Sequence, residues 1–371
     1  MLPDDKELFY LLVLTFIPGI GGRTGRSLIE QFGTASDVLK VSTKEIRNCI
    51  GESRAQSFID GIKDEVVFQN AEKELKFIGK HNINVLVFND AGFPQRFNRC
   101  NDAPLLLFYK GNANLNADKI VAVVGTRRNT EYGLKLCEEL VEGLQSQEGI
   151  LIVSGLASGI DAIAHKKSVV LGVPTVGVVG HGLDRTYPST NKNLANDMVQ
   201  NGGVLTEFPS GTIPDKENFP KRNRIVAGIS DVTVVVESDI AGGALITARL
   251  ASGYNRDVAA FPGRTSDSKS AGCNDLIRTN VAAMITKTED LLDLMNWNKD
   301  HKPRSVQKQL FINLSPDEQK VIDLLQSKES VHADELFHQT GLANSQLAAT
   351  LLQLEMQGLV KTLPGKQYRM V

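Results

Sequence analysis

Between positions 119 and 296 the chain alternates short aliphatic runs with segments of helical periodicity, and few folds accept that alternation. The runs at 120–124, 150–153, 175–179, 203–206, 232–236 and 258–260 are rich in Val and Ile and show almost no polar alternation. A strand with one wet face alternates, whereas a strand covered on both faces need not. The stretches at 131–147, 160–171 and 243–254 carry apolar residues three and four apart, the period of a helix. Strand–helix repetition of this kind specifies an α/β fold with a doubly wound, mostly parallel, Rossmann-like sheet. Ligands of such sheets bind outside the carboxyl ends of the strands. Two further extended runs, 85–88 and 105–109, are expected to add edge strands.

The flanks read differently. Residues 1–80 form a small all-α domain, of sterile-alpha-motif or helix-hairpin-helix type, ahead of the Rossmann-like domain at 81–298. Within it, Ile17-Pro18-Gly19-Ile20-Gly21-Gly22-Arg23 is either a turn that offers backbone N–H groups to phosphate or a tight helix–helix turn. The sequence does not separate the two. Residues 299–311 are polar and read as a linker. Residues 312–371 read as a winged helix: Ser315-Pro316-Asp317-Glu318 is a helix start, helices follow at 319–326, 333–339 and 345–357, and a hairpin closes around Pro364-Gly365.

Charge narrows the search for a function. Lys and Arg number 41 against 43 Asp and Glu, so the chain is no polycation, and any nucleic-acid site must be a local cluster. The last segment carries five cations (Lys320, Lys328, Lys361, Lys366, Arg369) against seven carboxylates, and its third helix has no Lys or Arg. It is therefore expected to contact protein rather than phosphate. No apolar run approaches the roughly 18 residues of a membrane span, and the first residues lack a basic leader, so a cytoplasmic location without membrane contact is expected. Cys49, Cys100, Cys137 and Cys273 lie far apart, which provides neither a zinc ribbon nor a disulfide framework.

The positive clusters lie after successive strands of the sheet. Val123-Val124-Gly125-Thr126-Arg127-Arg128 has one glycine and then two arginines where a dinucleotide site needs Gly-x-Gly-x-x-Gly. Guanidinium forks suit phosphodiester oxygens. Ser154-Gly155-Leu156-Ala157-Ser158-Gly159 offers hydroxyls and N–H groups at a helix start. Asp161 and His165, four apart on the following helix, lack a third metal ligand and read as structural. The next loop brings Tyr187, Asn191 and Lys192 together. Phe219-Pro220-Lys221-Arg222-Asn223-Arg224 is the densest basic cluster, with an aromatic ring beside it, a combination suited to single strands. Asn223 and Arg224 also have a structural reading, as internal partners of Glu207 or Glu237. Ala241-Gly242-Gly243 supplies one more turn, for phosphate or for close packing.

In this order the motifs resemble those of the DNA-processing protein A family (DprA, also called Smf). Thr206-Glu207-Phe208-Pro209, Pro262-Gly263 and Gly272-Cys273-Asn274-Asp275-Leu276-Ile277 extend the match over nearly the whole chain. The resemblance implies a bacterial cytosolic dimer that binds incoming single-stranded DNA and loads the recombinase RecA during natural transformation, without cofactor, metal or catalysis. It implies a pocket led by Arg127, with Arg128, Lys192, Lys221 and Arg222 in support and Gly125, Thr126, Ser154, Gly155, Ser158, Gly159, Tyr187, Asn191, Phe219, Asn223, Arg224 and Gly243 around them. Departures are modest: Thr126 replaces a usual Ser, Ala241-Gly242-Gly243 stands where a serine-containing turn is common, and Thr279-Asn280 replaces a usual acidic-glycine ending. The competing reading is a phosphoribohydrolase-like nucleotide enzyme. The expected Pro-Gly-Gly-x-Gly-Thr loop is replaced by Pro262-Gly263-Arg264-Thr265.

Overall fold

The computed structural model describes residues 5–298, 314–326, 328, 330–363 and 366–370. The aliphatic runs are strands of one nine-stranded sheet. These are β1 (Asn84–Val87), β2 (Leu106–Gly111), β3 (Lys119–Val124), β4 (Ile150–Ser154), β5 (Thr175–Val178), β6 (Gly202–Thr206), β7 (Val232–Val235), β8 (Asp257–Ala260) and β9 (Ala283–Met284). Their spatial order is β1-β2-β6-β5-β4-β3-β7-β8-β9. From β6 to β9 every pairing is parallel. The expected edge strands β2 and β1 add to the β6 side in antiparallel register. Two-residue β9 escaped the sequence reading because it is too short to show a pattern.

The chain runs from β3 outward through β4, β5 and β6, then returns to the other side of β3 for β7. That reversal opens a crevice between the carboxyl ends of β3 and β7, where doubly wound folds bind ligands. Both faces of the sheet are dry. One buries Ile120, Ala122, Val153 and Val235 with Ile225 and Leu245. The other buries Val121, Val123, Ile152 and Val234 with Leu140 and Val141. This two-sided burial is why the strands read as continuous apolar runs.

Helices α1 (Asp5–Phe16), α2 (Gly22–Phe32), α3 (Ala35–Val38), α4 (Thr43–Ile50), α5 (Glu52–Gly61) and α6 (Glu65–His81) precede the sheet. They share a core with Val85, Leu105, Leu106 and Phe108. Arg26 of α2 points inward, donating to the carbonyls of Cys100 and Asn101 and covering the Phe88 ring at 4.5 Å. At the turn between α1 and α2, a β-carbon on Gly22 would lie 2.7 Å from Pro104 Cα, so that glycine is required by packing.

Within and after the sheet come α7 (Gln95–Asn98), α8 (Glu131–Leu144), α9 (Ile160–Leu171), α10 (Lys192–Met198), α11 (Asn218–Ile229), α12 (Gly243–Gly253), α13 (Ala271–Arg278) and α14 (Thr288–Leu294). Residues 5–298 form one contact unit, and the C-terminal segment is a second.

That second unit holds α15 (Pro316–Gln326), β10 (Val331–His332), α16 (Ala333–Thr340), α17 (Asn344–Met356), β11 (Val360–Leu363) and β12 (Gln367–Met370) around its own core. The helix start at Ser315 is reciprocal: Ser315 N–H donates to Glu318 Oε2 at 2.7 Å, and Glu318 N–H donates to Ser315 Oγ. β11 and β12 form the expected hairpin, and β10 adds a third strand. The expected linker at 299–311 and the turn at Pro364-Gly365 lie outside the described residues. Among the described residues, no helix is long and apolar enough to cross a membrane.

Candidate nucleic-acid interface

The loops after β3, β4, β5, β6 and β7 converge on the carboxyl edge of the sheet, and two adjoining hollows open there. The larger, about 390 Å³, occupies the crevice between the β3 and β7 loops. The smaller, about 60 Å³, lies on the α9 side. Arg127, Phe219 and Arg222 line both.

Phe219 divides the hollows and anchors a stack. The Arg127 guanidinium lies over its ring at 5.1 Å from the centroid. The Tyr187 ring lies 6.1 Å away, nearly parallel at 27°. Three separate loops thus build one cation–aromatic–aromatic column, with Arg127 and Tyr187 exposed. Such a column offers π-faces to bases and positive charge to phosphates.

Beneath it lies Arg222, only 6% exposed. No hydrogen bond or ion pair holds its guanidinium among the described residues, and Nε is fully enclosed and unsatisfied. Five donors are rarely buried without partners. The nearby carboxylate of Asp161 provides the compensating charge: burial pushes its carboxyl up, and Arg222 pulls it back. Asp161 also accepts from Ala157 N–H at 3.3 Å. Gly155 makes room for this guanidinium, since a β-carbon there would lie 1.6 Å from Arg222 Nη1. Gly159, at φ +81°, sits against the Thr126 and Arg127 backbone, where a β-carbon would meet Thr126 O at 2.3 Å. Both glycines therefore admit protein atoms to the site, and Gly155 also lines the smaller hollow.

Other expected site residues brace the pocket. Ser154 is fully buried and donates to Val123 O at 2.6 Å, so its hydroxyl is not offered to a ligand. Asn191 is buried and donates to Leu156 O and Ala157 O, which holds the β4–α9 loop. Arg224 pairs with Glu207, donates to Asp102 O and covers the Phe97 ring at 5.5 Å. That is the internal partnership the sequence left open. Thr126 accepts from Arg128 N–H at 3.2 Å. Gly125 and Gly243 line the larger hollow, as does Asn223; Ser158 lines the smaller. Arg128, Lys192 and Lys221 are exposed and line neither.

Sequence reasoning missed Lys216, Ser238, Asp239, Ile246 and Thr247, which all line the larger hollow. Lys216 stands three residues before Phe219 and could have been read as an extension of that basic cluster. The others become neighbours only when α12 folds back over the crevice.

The carboxylates Glu237 and Glu207 are both engaged inside the fold. Glu237 is fully buried and accepts from Thr130 N–H at 2.9 Å and Thr130 Oγ1 at 2.5 Å, capping α8. Glu207 is paired with Arg224. Asp161 and His165 do not converge on a ligand: His165 Nδ1 bonds Thr175 Oγ1 at 2.7 Å inside the fold.

Comparison with known proteins adds an independent finding. The family described as DNA recombination-mediator protein A matches residues 84–296, and the DprA winged helix domain matches residues 308–366. Protein Smf of Synechocystis sp. is 28% identical, across 98% of this chain and 99% of its own length. The X-ray structure of DNA processing protein A from Streptococcus pneumoniae is 33% identical and has a TM-score of 0.67, over 79% of this chain and 98% of that one. DNA processing protein A from Helicobacter pylori, whose structure gave insight into a single-stranded DNA binding mode, is 30% identical with a TM-score of 0.52. That match covers 58% of this chain and 95% of that one.

Proposed function

The chain belongs to the DNA recombination-mediator protein A family, and from that premise we propose that it binds single-stranded DNA along the carboxyl edge of its sheet and delivers it to the recombinase RecA. The observation that carries the reading is the column of Arg127, Phe219 and Tyr187 above the unpartnered guanidinium of Arg222. The exposed Tyr187 ring and the half-buried Phe219 ring receive unstacked bases, which a duplex keeps inside its own stack. Arg127 and Arg222 meet the backbone between those bases, with Ser158 and the N-terminus of α9 beside them. Arg128, Lys192 and Lys221 extend positive charge along the edge and steer the strand inward.

The protein acts in this reading as a cytoplasmic homodimer that protects incoming DNA during transformation, without a catalytic step. Its winged helix contacts protein. On α17, Leu352 and Met356 are exposed, and no Lys or Arg accompanies them. Glu355 accepts from Thr362 N–H and Oγ1, which ties the helix to β11.

A titration of single- and double-stranded DNA across salt concentrations tests the central claim. Preference for the single strand with a steep salt slope is expected. Equal affinity for the duplex, or turnover of a nucleotide without DNA binding, overturns it.

A further inference from the structure

Tyr187 lies in the loop after β5, and Phe219 opens α11 directly after the loop that follows β6. Both loops are tied to the N-terminal helices. We infer that Glu74 of α6, which lines neither hollow, is the positioning residue through which those helices set the Tyr187–Phe219 pair to receive a base. The inference rests on the single-stranded DNA reading and gives the N-terminal helices a part in it.

Glu74 is only 3% exposed, and among the described residues no cation pairs with it. Burial pushes its carboxyl up, and hydrogen bonds from Ser210 pull it back. Ser210 Oγ and Ser210 N–H both donate to Glu74 Oε2, the N–H at 2.9 Å. A buried carboxylate costs stability unless hydrogen bonds hold it, and an apolar side chain would pack α6 at less cost. What the carboxylate adds is a fixed place for Ser210, which stands 136 positions away in the loop between β6 and α11.

From Ser210 the tie continues to both rings. Gly211 N–H donates to Asp184 Oδ1 at 2.9 Å, and Gly182 N–H donates to Thr212 O at 3.1 Å. The two loops touch so closely that a β-carbon on Gly182 would lie 2.5 Å from Pro209 O. Leu183, between these bonds, packs against the core of the N-terminal helices. Further along the same loop, Tyr187 N–H donates at 3.2 Å to Nε2 of His181, which is itself buried. On the opposite side Gly180 abuts Phe219, where a β-carbon would lie 3.4 Å from ring Cδ1. The loop that bears Tyr187 is therefore held between α6 and α11, and the near-parallel setting of the two rings depends on both. Glu74 is the point at which α6 enters this chain of contacts with directional bonds.

Two strands of about 12 nucleotides, oligo(dT) and an abasic strand, test this on the full chain. Glu74→Ala should weaken oligo(dT) binding about tenfold, as the loss of one stacked base would. Abasic binding should change by less than about twofold, because Arg127 follows β3 and Arg222 is wedged against Gly155, away from the two loops. Glu74→Gln should restore most of the affinity, since its amide oxygen still accepts from Ser210. In a Phe219→Leu background the cost of Glu74→Ala should largely disappear, which couples a residue outside both hollows to the ring. Ser210→Ala keeps the N–H bond and should give a smaller loss with the same strand selectivity, a second check if Glu74→Ala folds poorly. Equal losses on both strands, or full additivity with Phe219→Leu, overturn the inference and leave the DNA reading intact. So does a drop in urea stability with the oligo(dT) affinity of the folded protein unchanged. Absence of binding of both strands by the unaltered protein overturns the DNA reading itself, and the inference with it.

Discussion

The guanidinium of Arg222 occupies the space that a side chain at Gly155 would need: a β-carbon there would lie 1.6 Å from Nη1. The glycine and the arginine are 67 positions apart, in the β4–α9 loop and in α11, yet each explains the other. Gly155→Ala should therefore displace the guanidinium and weaken single-stranded DNA binding about tenfold, the cost of a lost charged hydrogen bond. In a double-mutant cycle, Gly155→Ala should add little to Arg222→Ala, because both remove the same contact. Fully additive losses in binding titrations would separate the two residues.

In the proposed reading, Arg127 contributes through charge and Phe219 through its ring. Arg127→Ala should lower the salt slope of single-strand binding by about 0.7, one phosphate contact on a single strand. Phe219→Leu should cost about 1–3 kcal/mol of affinity and leave that slope nearly unchanged. Measuring both slopes across the same salt series distinguishes the roles.

Arg224 belongs to the fold despite its place in the basic cluster. Its partner Glu207 is largely buried, so Arg224→Ala leaves a carboxylate without its cation. Urea melts should show a loss of about 3 kcal/mol. Binding of the folded fraction should stay close to that of the unaltered protein, and a selective affinity loss with full stability would contradict the assignment.

His165 makes stability depend on pH. Burial holds its pKa down at about 3, against 6.5 for a free histidine. The unfolded chain therefore takes up a proton between those values that the native protein refuses. Stability is complete above about 6.5 and falls as the pH drops below it, by up to about 1.4 kcal/mol per pH unit. His181, also buried, is shifted in the same direction. Denaturant midpoints measured from pH 7.5 to 5 should fall, and His165→Leu should flatten the curve. An unchanged slope in that variant would exclude His165 as the source.

The winged-helix segment should be dispensable for DNA. Deleting residues 299–371 is expected to leave single-strand affinity within about threefold, because α17 carries no phosphate-neutralising cation. A large loss would place DNA on that unit.

Much of the architecture was legible because burial on two faces leaves its mark along the chain. The runs that became β3 to β8 needed no tertiary information, and the cap of α15 was visible in four residues. The site was legible in part. Arg127 and Phe219 announced themselves as a cation after a strand and a ring within a basic cluster. Ser154 and Asn191 looked like ligands because hydroxyls and amides beside glycines suit anions; the same groups also hold loops together, and only their partners separate the two uses. Asp239 gave no signal at all.

By itself, the sequence determined a doubly wound sheet with positive turns along its carboxyl edge, since hydrophobic period and local charge are properties of neighbouring residues. Tertiary structure alone decided which cations line the hollows. Arg222 and Arg224 stand two positions apart in one helix. The helical turn sends Arg224 into a pairing with Glu207 and leaves Arg222 buried beside Asp161 without a hydrogen-bonding partner among the described residues. That difference depends on what each side chain meets across the fold, which no local pattern records.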